Sequence, residues 1–474
     1  MSVLSTLQFL VQANRIHRLT RSRPEKIARL QNQRLRSLLR FAAQRSPLFR
    51  ELWKGIDWES CALADLPPLE KSAGMARFDD WVTDRRVNRR DVEAFMADLT
   101  NAGRMYLNRY IPLHTSGSQG QPVVLLQERT DLNLLYQIQT TRGNVTGGTG
   151  VIEAARKRLR PARVAMITMK QGFYPTAVTF NFFPRELNGF IRRLWLAKTD
   201  PDLLAKLNEF SPTNLTAYAS VLLELADAKE TGRLRLPHLK QLVNNSELLT
   251  DAARQRLQEV FGVPVMNNYA AGECMHLSVG CPTDPGVHIN ADWAIVEVVD
   301  SEGRHVPPGQ RGAKVYVTNL SNRIQPIIRY VINDAVTWAT APCRCGSQMP
   351  RLERIEGRGN DSLWVRDRTG NWRRLDPMIL KASLHFCTDV LDWRVTQSVP
   401  EQFLLEVVPV PGQTVDEDRL RRVIHFALEN YGFHGLVQVE HAVASRLPPD
   451  PATGKVKRVI CTTGPDTNPT AIAS

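Results

Sequence analysis

From Arg163 to Tyr269 short apolar runs alternate with stretches of helical periodicity. In order they read "RVAMITM", "TDPDLLAKLNEF", "NLTAYA", "ASVLLELADAKE", "LKQLVNN", "TDAARQRLQEVFG" and "VPVMNNY". Strands separated by whole helices cannot pair as hairpins. Alternation of this kind argues for an α/β sheet with helices on its faces. No other feature of the chain constrains its fold as strongly.

The flanking regions read differently. Residues 1–100 are mostly helical, with Leu35, Leu38, Leu39 and Phe41 at helical spacing and "LPPLEKSAG" as a proline-led break. After Tyr269 the pattern turns β-rich, in "WAIVEVVD", "AKVYVTN" and "DAVTWAT". The polar run "EGRGNDS" suggests a hinge, and beyond it two strand-like runs, a helix and a further strand make a small α+β module. The expected class is α/β: a large core at 1–360, with helices on β-sheets plus a β-rich subdomain, and a mobile α+β domain at 361–474.

The 474 residues suit one large domain plus a smaller one. No apolar stretch of about 18 residues is present, so no membrane-spanning helix is expected. The opening residues show no charged leader or small-residue cleavage site, and a cytoplasmic location is expected. Of the net charge of +13, residues 1–50 contribute +10, from eleven Arg/Lys against Glu25. A solvated amphipathic helix packed on the core is the first expectation for this segment, with contact to an anionic membrane surface as the alternative. No nucleic-acid-binding motif is present.

Chemistry concentrates in a few loops. "LHTSGSQGQP" (Leu113 to Pro122) gathers glycines and hydroxyls before an apolar run. Such a loop either turns a hairpin tightly or surrounds phosphate oxygens with N–H and O–H groups. It lacks the Gly-Lys-Ser/Thr ending of a Walker loop. "NNYAAGE" ends in Glu273, "PIIRYVIND" ends in Asp334, "EGRGND" carries Arg358 and Asp361, and "PATGKVKR" places Lys455 in a glycine loop.

In this order and at these separations, the motifs resemble the adenylate-forming superfamily of acyl-CoA synthetases, in its phenylacetate–CoA ligase and CapK-like branch. The resemblance covers nearly the whole chain, including the opening "LRSLLRFAAQRSPLFRELW". It implies that Thr115, Ser116, Gly117, Ser118 and Gly120 wrap the β- and γ-phosphates of ATP. It lays Asn245, Ser246 and Glu247 along the adenine, stacks Tyr269 near the purine and gives Glu273 a Mg²⁺ ion. Asp334 then meets the ribose hydroxyls, Arg358 reaches the nucleotide, Asp361 is the hinge pivot, and Lys455 bridges the acyl carboxylate and the α-phosphate. Three departures stand out: Gln119 and Gln121 replace a hydroxyl and a cation in the loop, "YVIND" replaces "YRTGD", and "YAAGE" lacks a threonine before Glu273.

The implied reaction activates a carboxylic acid, aromatic or short acyl, with ATP and passes the acyl group to coenzyme A. Transfer to an amine or a carrier protein, and a non-catalytic nucleotide-binding homologue, are the alternatives. The seven cysteines do not suggest a disulfide framework. Cys281, His288, Cys343 and Cys345 suit a closed tetrahedral Zn²⁺ site, with Cys274 and His276 in reserve and reduced buried cysteines as the alternative. Several members of the branch carry such a zinc. A small carboxylic acid is the expected partner, and no nucleic acid; homodimer formation is left open.

Overall fold

The computed structural model describes residues 3–115, 123–143, 159–168, 172–198, 200–247, 249–358, 363–375, 377, 380, 384, 387–430, 433, 435–449 and 456–464. The alternating segment forms the expected α/β sheet, and its strands run parallel. Its strands are β3 (Ala162–Ile167), β4 (Ile191–Leu196), β5 (Asn214–Ala217), β6 (Gln241–Asn245) and β7 (Val265–Asn268), in the order β4-β3-β5-β6-β7.

Ahead of it come helices α1 (Val3–Leu19) and α2 (Pro24–Arg45), then an antiparallel hairpin of β1 (Tyr110–His114) and β2 (Val124–Glu128), then α3 (Arg129–Thr141). Pro24 opens α2, where a missing N–H costs nothing. Leu35, Leu38, Leu39 and Ala42 of α2 are buried in one cluster with Trp81, Ile111 and Leu126. The crossovers between β4 and β7 are α4 (Leu203–Phe210), α5 (Ala219–Glu230) and α6 (Asp251–Phe261).

The β-rich part holds β8 (Ser278–Gly280), β9 (Val287–Ile289), β10 (Ala294–Val299), β11 (Lys314–Asn319), β12 (Tyr330–Ile332), β13 (Asp334–Trp338) and β14 (Arg351–Arg358). They form two sheets, β10-β11-β12 and β13-β14-β9-β8. A two-stranded ribbon follows, of β15 (Leu363–Arg366) and β16 (Trp372–Leu375). The closing sheet is ordered β19-β18-β17-β20, from β17 (Val390–Val399), β18 (Gln402–Pro409), β19 (Gln438–Val443) and β20 (Val459–Cys461). Helix α7 (Glu417–Asn430) lies between β18 and β19 in sequence and buries Leu420, Ile424 and Leu428 with Val395, Phe403 and Leu405.

The chain divides into two compact units: residues 1–246 with 261–355, and residues 247–260 with 356–474. Most of α6 therefore belongs with the C-terminal unit, although β6 and β7 on either side of it belong to the first. No described helix is long and apolar enough to cross a membrane.

One charged hub joins several elements of the first unit. Arg142, just past α3, is buried against the carboxylate of Asp292, at 2.8 and 3.1 Å. It also donates to Asn290 Oδ1, to Thr20 Oγ1 and to the Ile16 carbonyl of α1. Arg34 of α2 reaches the same aspartate and lies 3.3 Å over the Trp293 ring. Losing Arg142 leaves Asp292, which is fully buried, short of a partner for its charge. Arg142→Ala should therefore destabilise the fold by about 3–5 kcal/mol in denaturant titration. Arg34→Ala should cost clearly less, because Arg34 is partly exposed and Arg142 still pairs with Asp292 in its absence.

Candidate active site

In the β1–β2 hairpin, Leu113 and His114 end β1, and Val124 opens β2 on the far side of the glycine- and hydroxyl-rich stretch. Thr115 closes its base: the Thr115 N–H donates to the Val123 carbonyl at 3.1 Å, and the Val123 N–H lies 3.3 Å from Thr115 Oγ1. Ser116, Gly117, Ser118 and Gly120 lie outside the described residues.

The "YAAGE" segment crosses the base of that hairpin. A β-carbon built on Gly272 would stand 3.0 Å from Thr115 Cγ2 and 3.1 Å from Leu125 Cδ1, tighter than ordinary packing allows. Two buried amides hold the segment in place. Gln127 donates to the Gly272 carbonyl at 3.2 Å, and Asn319 donates to the Glu273 carbonyl at 2.9 Å. Glu273 is thereby fixed, nearly buried, one residue from the contact with Thr115. A hard carboxylate oxygen in that place suits Mg²⁺.

The adjacent strands β6 and β7 pair Asn244 with Asn267 and Asn245 with Asn268. Asn244 Nδ2 also donates to Asn267 Oδ1 at 2.7 Å. Both "NNSE" and "NNYAAGE" thus leave the carboxyl ends of neighbouring parallel strands, the edge at which α/β sheets hold ligands. The chain turns at once after β6: Ser246 has φ +63°, a left-handed backbone that costs a non-glycine residue about 1 kcal/mol or more.

Tyr269 and Asp334, 65 positions apart, meet directly. The phenol donates to Asp334 Oδ2 at 2.8 Å. Ser278 Oγ donates to the Tyr269 carbonyl at 2.6 Å and so steadies the tyrosine backbone. Glu247, in the second unit, accepts from the Val456 N–H at 2.6 Å. Arg358 ends β14, with a side chain outside the described residues, as are Asp361 and Lys455.

The cysteine expectation concerns a second place in the first unit. The ligand atoms of Cys281, His288, Cys343 and Cys345 all lie within 4.8 Å of one another. Cys281 Sγ is 3.4 Å from Cys343 Sγ, and Cys345 Sγ is 3.3 Å from His288 Nε2. A tetrahedral zinc site has edges of about 3.5–3.8 Å, from Zn–S and Zn–N lengths of about 2.3 and 2.0–2.1 Å. The set fits. His288 Nδ1 lies 3.1 Å from the Met349 carbonyl, which can only accept, so Nδ1 carries the proton and Nε2 presents its lone pair. The Ser347 N–H points at Cys345 Sγ. Gly286 permits the pairing of β9 with β14, since a β-carbon there would stand 2.3 Å from the Leu352 carbonyl oxygen.

Without a metal, burial pushes the Cys345 thiol up to about 12. Cys274 and His276 are not in the group. They form a separate buried pair, 3.7 Å apart, with the thiol pushed up and the imidazole pushed down to about 4, both by burial.

No family model matches the chain. It is 25% identical to the phenylacetate–coenzyme A ligase of Thermus thermophilus over 354 residues, 72% of each chain. It is 22% identical to protein CapK of Staphylococcus aureus over 357 residues, 72% of this chain and 69% of that one. A 2-hydroxyisobutyryl-CoA ligase solved in the postadenylation state with R3-HIB-AMP superposes with a TM-score of 0.66 at 20% identity, covering 94% of this chain and 91% of that one. The same ligase in its thioesterification state, with 2-HIB-AMP and CoA, gives a TM-score of 0.58. The chain is thus similar, over about 72% of its length, to phenylacetate–CoA ligase and CapK, and shares its fold with a CoA ligase solved as an adenylate complex.

The structure packs Thr115 against Gly272, next to Glu273, bonds Tyr269 to Asp334, and sets Asn245 beside Asn268 on the neighbouring strand. Three supporting residues have no counterpart in the sequence reading. Gly272 was quoted in its motif without a role, and Gln127 is the lone buried amide ending the apolar "VVLLQ". His114, whose ring meets Tyr174 edge-on at 4.5 Å, stands next to Thr115. Burial holds this imidazole below its usual pKa, hence neutral near pH 7. Protein purified without chelator should carry about one zinc per chain by elemental analysis, and less than about half would count against the cluster. Cys343→Ser should abolish that zinc and lower the melting temperature.

Proposed function

We propose that the protein joins a carboxylic acid to coenzyme A in two steps, through an acyl-adenylate. The observation that carries this reading is the Tyr269–Asp334 bond, which brings two distant nucleotide-contact motifs together at 2.8 Å. The packing of Gly272 on Thr115 supports it, because it ties the phosphate-type loop to Glu273.

In the first step a carboxylate oxygen of the acid attacks the α-phosphorus of ATP. The bond from that phosphorus to the bridging oxygen breaks, and pyrophosphate leaves. The site's work is positioning and charge neutralisation, since negative charge grows on the phosphoryl oxygens. Thr115 through Gly120 would surround the β- and γ-phosphates with N–H and O–H groups. Asp334 would accept from the ribose hydroxyls, a carboxylate having room for more than one donor. The bond from its phenol would hold the Tyr269 ring in one orientation beside the purine. Glu273 would hold a Mg²⁺ ion, which neutralises phosphate charge when bound. Lys455 would place its ammonium between the acyl carboxylate and the α-phosphate.

In the second step the sulfur of CoA attacks the acyl carbon, AMP leaves, and the thiol proton passes to solvent. Lys455 has no part in this step. The reading therefore includes a C-terminal domain that swings about Asp361 and withdraws the lysine. The acid's tail would lie near Tyr174 and the segment from Lys170 to Leu187. There Phe182 and Phe183 are buried, and Arg193 lies over the Phe180 and Phe183 rings at 4.5 and 4.0 Å. An aromatic or short acyl chain is the substrate class. The Cys281, His288, Cys343 and Cys345 cluster is read as a structural zinc site with no open position. The reading sets the enzyme in the cytoplasm, where both ATP and CoA are supplied.

ATP–pyrophosphate exchange against a panel of acids, phenylacetate and 2-hydroxyisobutyrate included, should show acid-dependent turnover. Silence across the panel with intact ATP binding would sink the ligase reading in favour of a scaffold. Asp334→Ala should raise the apparent KM for ATP, because the ribose contact exists in both ground and transition states. Lys455→Ala should slow adenylation by about 10²-fold or more, yet leave thioester formation from supplied acyl-adenylate nearly intact. Equal damage to both steps would remove the lysine from the assigned role.

A further inference from the structure

The first helix is packed on one side only. Phe9 of α1 is buried against Phe183 and Leu187, Ile16 against Leu134 and Ile138, and Ala13 between them is buried too. On the opposite side Leu7, Val11, Arg15 and Arg18 follow one another at four- and three-residue spacing, and all four are exposed. Leu7 and Val11 are apolar side chains left 56% and 45% accessible to water. Helix α1 contains no Asp or Glu.

The cations continue past the helix. Arg21 and Arg23 lie in the turn, and Lys26 and Arg29 are exposed on α2. Among the described residues none of the six, from Arg15 to Arg29, has an ion-pair or hydrogen-bond partner for its side chain. Arg34, Arg36 and Arg50 differ in this, since all three are bound to carboxylates or carbonyls. Glu25 is the one acid in residues 1–50. The loop that meets the turn, through a 2.8 Å bond from the Gln348 N–H to the Thr20 carbonyl, adds exposed Arg344 and no acid between Cys343 and Met349.

Water suits these cations but not Leu7 and Val11. A nucleic-acid backbone would neutralise the charge, but proteins that hold nucleic acid this way add aromatic side chains for the bases, and the stripe has none. A second copy set face to face would bring like charges together. An anionic bilayer surface satisfies both halves of the stripe, with headgroup phosphates for the cations and a shallow apolar layer for the aliphatic side chains.

We propose that the outer face of α1 and the α1–α2 turn dock the protein on an anionic phospholipid surface. Leu7 and Val11 enter the headgroup layer, and the cations from Arg15 to Arg29 pair with phosphates. The helix lies along the surface, since it is not long and apolar enough to cross it. The docking makes no use of the nucleotide site and stands whether or not the ligase reading does.

The test is sedimentation of the full chain with vesicles of phosphatidylcholine alone, or of phosphatidylcholine with about 30% phosphatidylglycerol. The protein should sediment with the anionic vesicles only, and binding should fall at least about tenfold between about 0.05 and 0.5 M salt as the charges are screened. Each cation near such a surface is worth roughly fivefold, so Arg15→Gln combined with Arg18→Gln should weaken binding about 25-fold. Leu7→Ser combined with Val11→Ser should weaken it by about tenfold and leave the salt dependence unchanged. All four side chains are exposed, so both variants should keep the wild-type melting temperature. Arg45→Gln combined with Arg192→Gln removes the same charge from exposed positions off this stripe and should bind like wild type.

Failure to sediment with the anionic vesicles at low salt would overturn the proposal. Equal loss in the Arg45 and Arg192 variant would reduce the effect to net charge. Undiminished binding by the Leu7 and Val11 variant would overturn it as well, and duplex DNA held more tightly than the vesicles would give the face to nucleic acid. A wild-type dimer that the Leu7 and Val11 changes split into monomers would give it to a second copy.

Discussion

The candidate site depends on one place where the chain has no side chain to spare. At Gly272 the "YAAGE" segment passes so close to Thr115 and Leu125 that a methyl group would push their side chains aside. That approach brings Glu273 to the foot of the hairpin loop, and Gln127 and Asn319 then fix the two carbonyls on either side of the intervening peptide bond. A site for a triphosphate needs preorganised groups more than reactive ones. Here the preorganisation is built from close packing and amide hydrogen bonds, mostly between residues that would never touch the ligand.

How much of this could be read in the residues depends on whether the signal is local. The α/β sheet was legible because each of its strands is an apolar run flanked by helical periodicity, a pattern that ordinary propensities do not contradict. The motifs ending in Glu273 and Asp334 were legible through their order along the chain. The bond between Tyr269 and Asp334 was not, since nothing in either stretch specifies that strand β13 begins beside the turn after β7. Gly272 shows the same limit: a glycine in a loop has many reasons to be there, and only its neighbour Thr115 supplies the actual one. The membership of residues 247–260 in the second unit left no mark in composition, because α6 is an ordinary amphipathic helix.

Charge tells a similar story at the N terminus. Some of the positive excess is structural. Arg34 serves Asp292, Arg36 donates to the Trp58 and Cys61 carbonyls, and Arg50 donates to the Ala43 and Gln44 carbonyls. Guanidinium groups suit this use because their planar donors reach several carbonyls at once. Other basic residues, among them Arg15, Arg18, Arg21 and Arg29, face solvent. The expectation of a helix packed on the core thus describes the apolar face of α2, while its cations divide between bracing and exposure.

The route of the chain through its two units bears on how the molecule can be dissected. Ala253 and Leu257 of α6 are buried, yet this helix is encoded almost a hundred residues upstream of the other part of its unit. A fragment beginning at Glu356 would lack residues 247–260, and with them the bonds of Glu247 to the Val456 N–H and of Thr250 to the Leu391 carbonyl. Gene boundaries drawn at the linear junction therefore cut through a folded body, and separating the halves cleanly calls for moving residues 247–260 onto the C-terminal part rather than for a truncation.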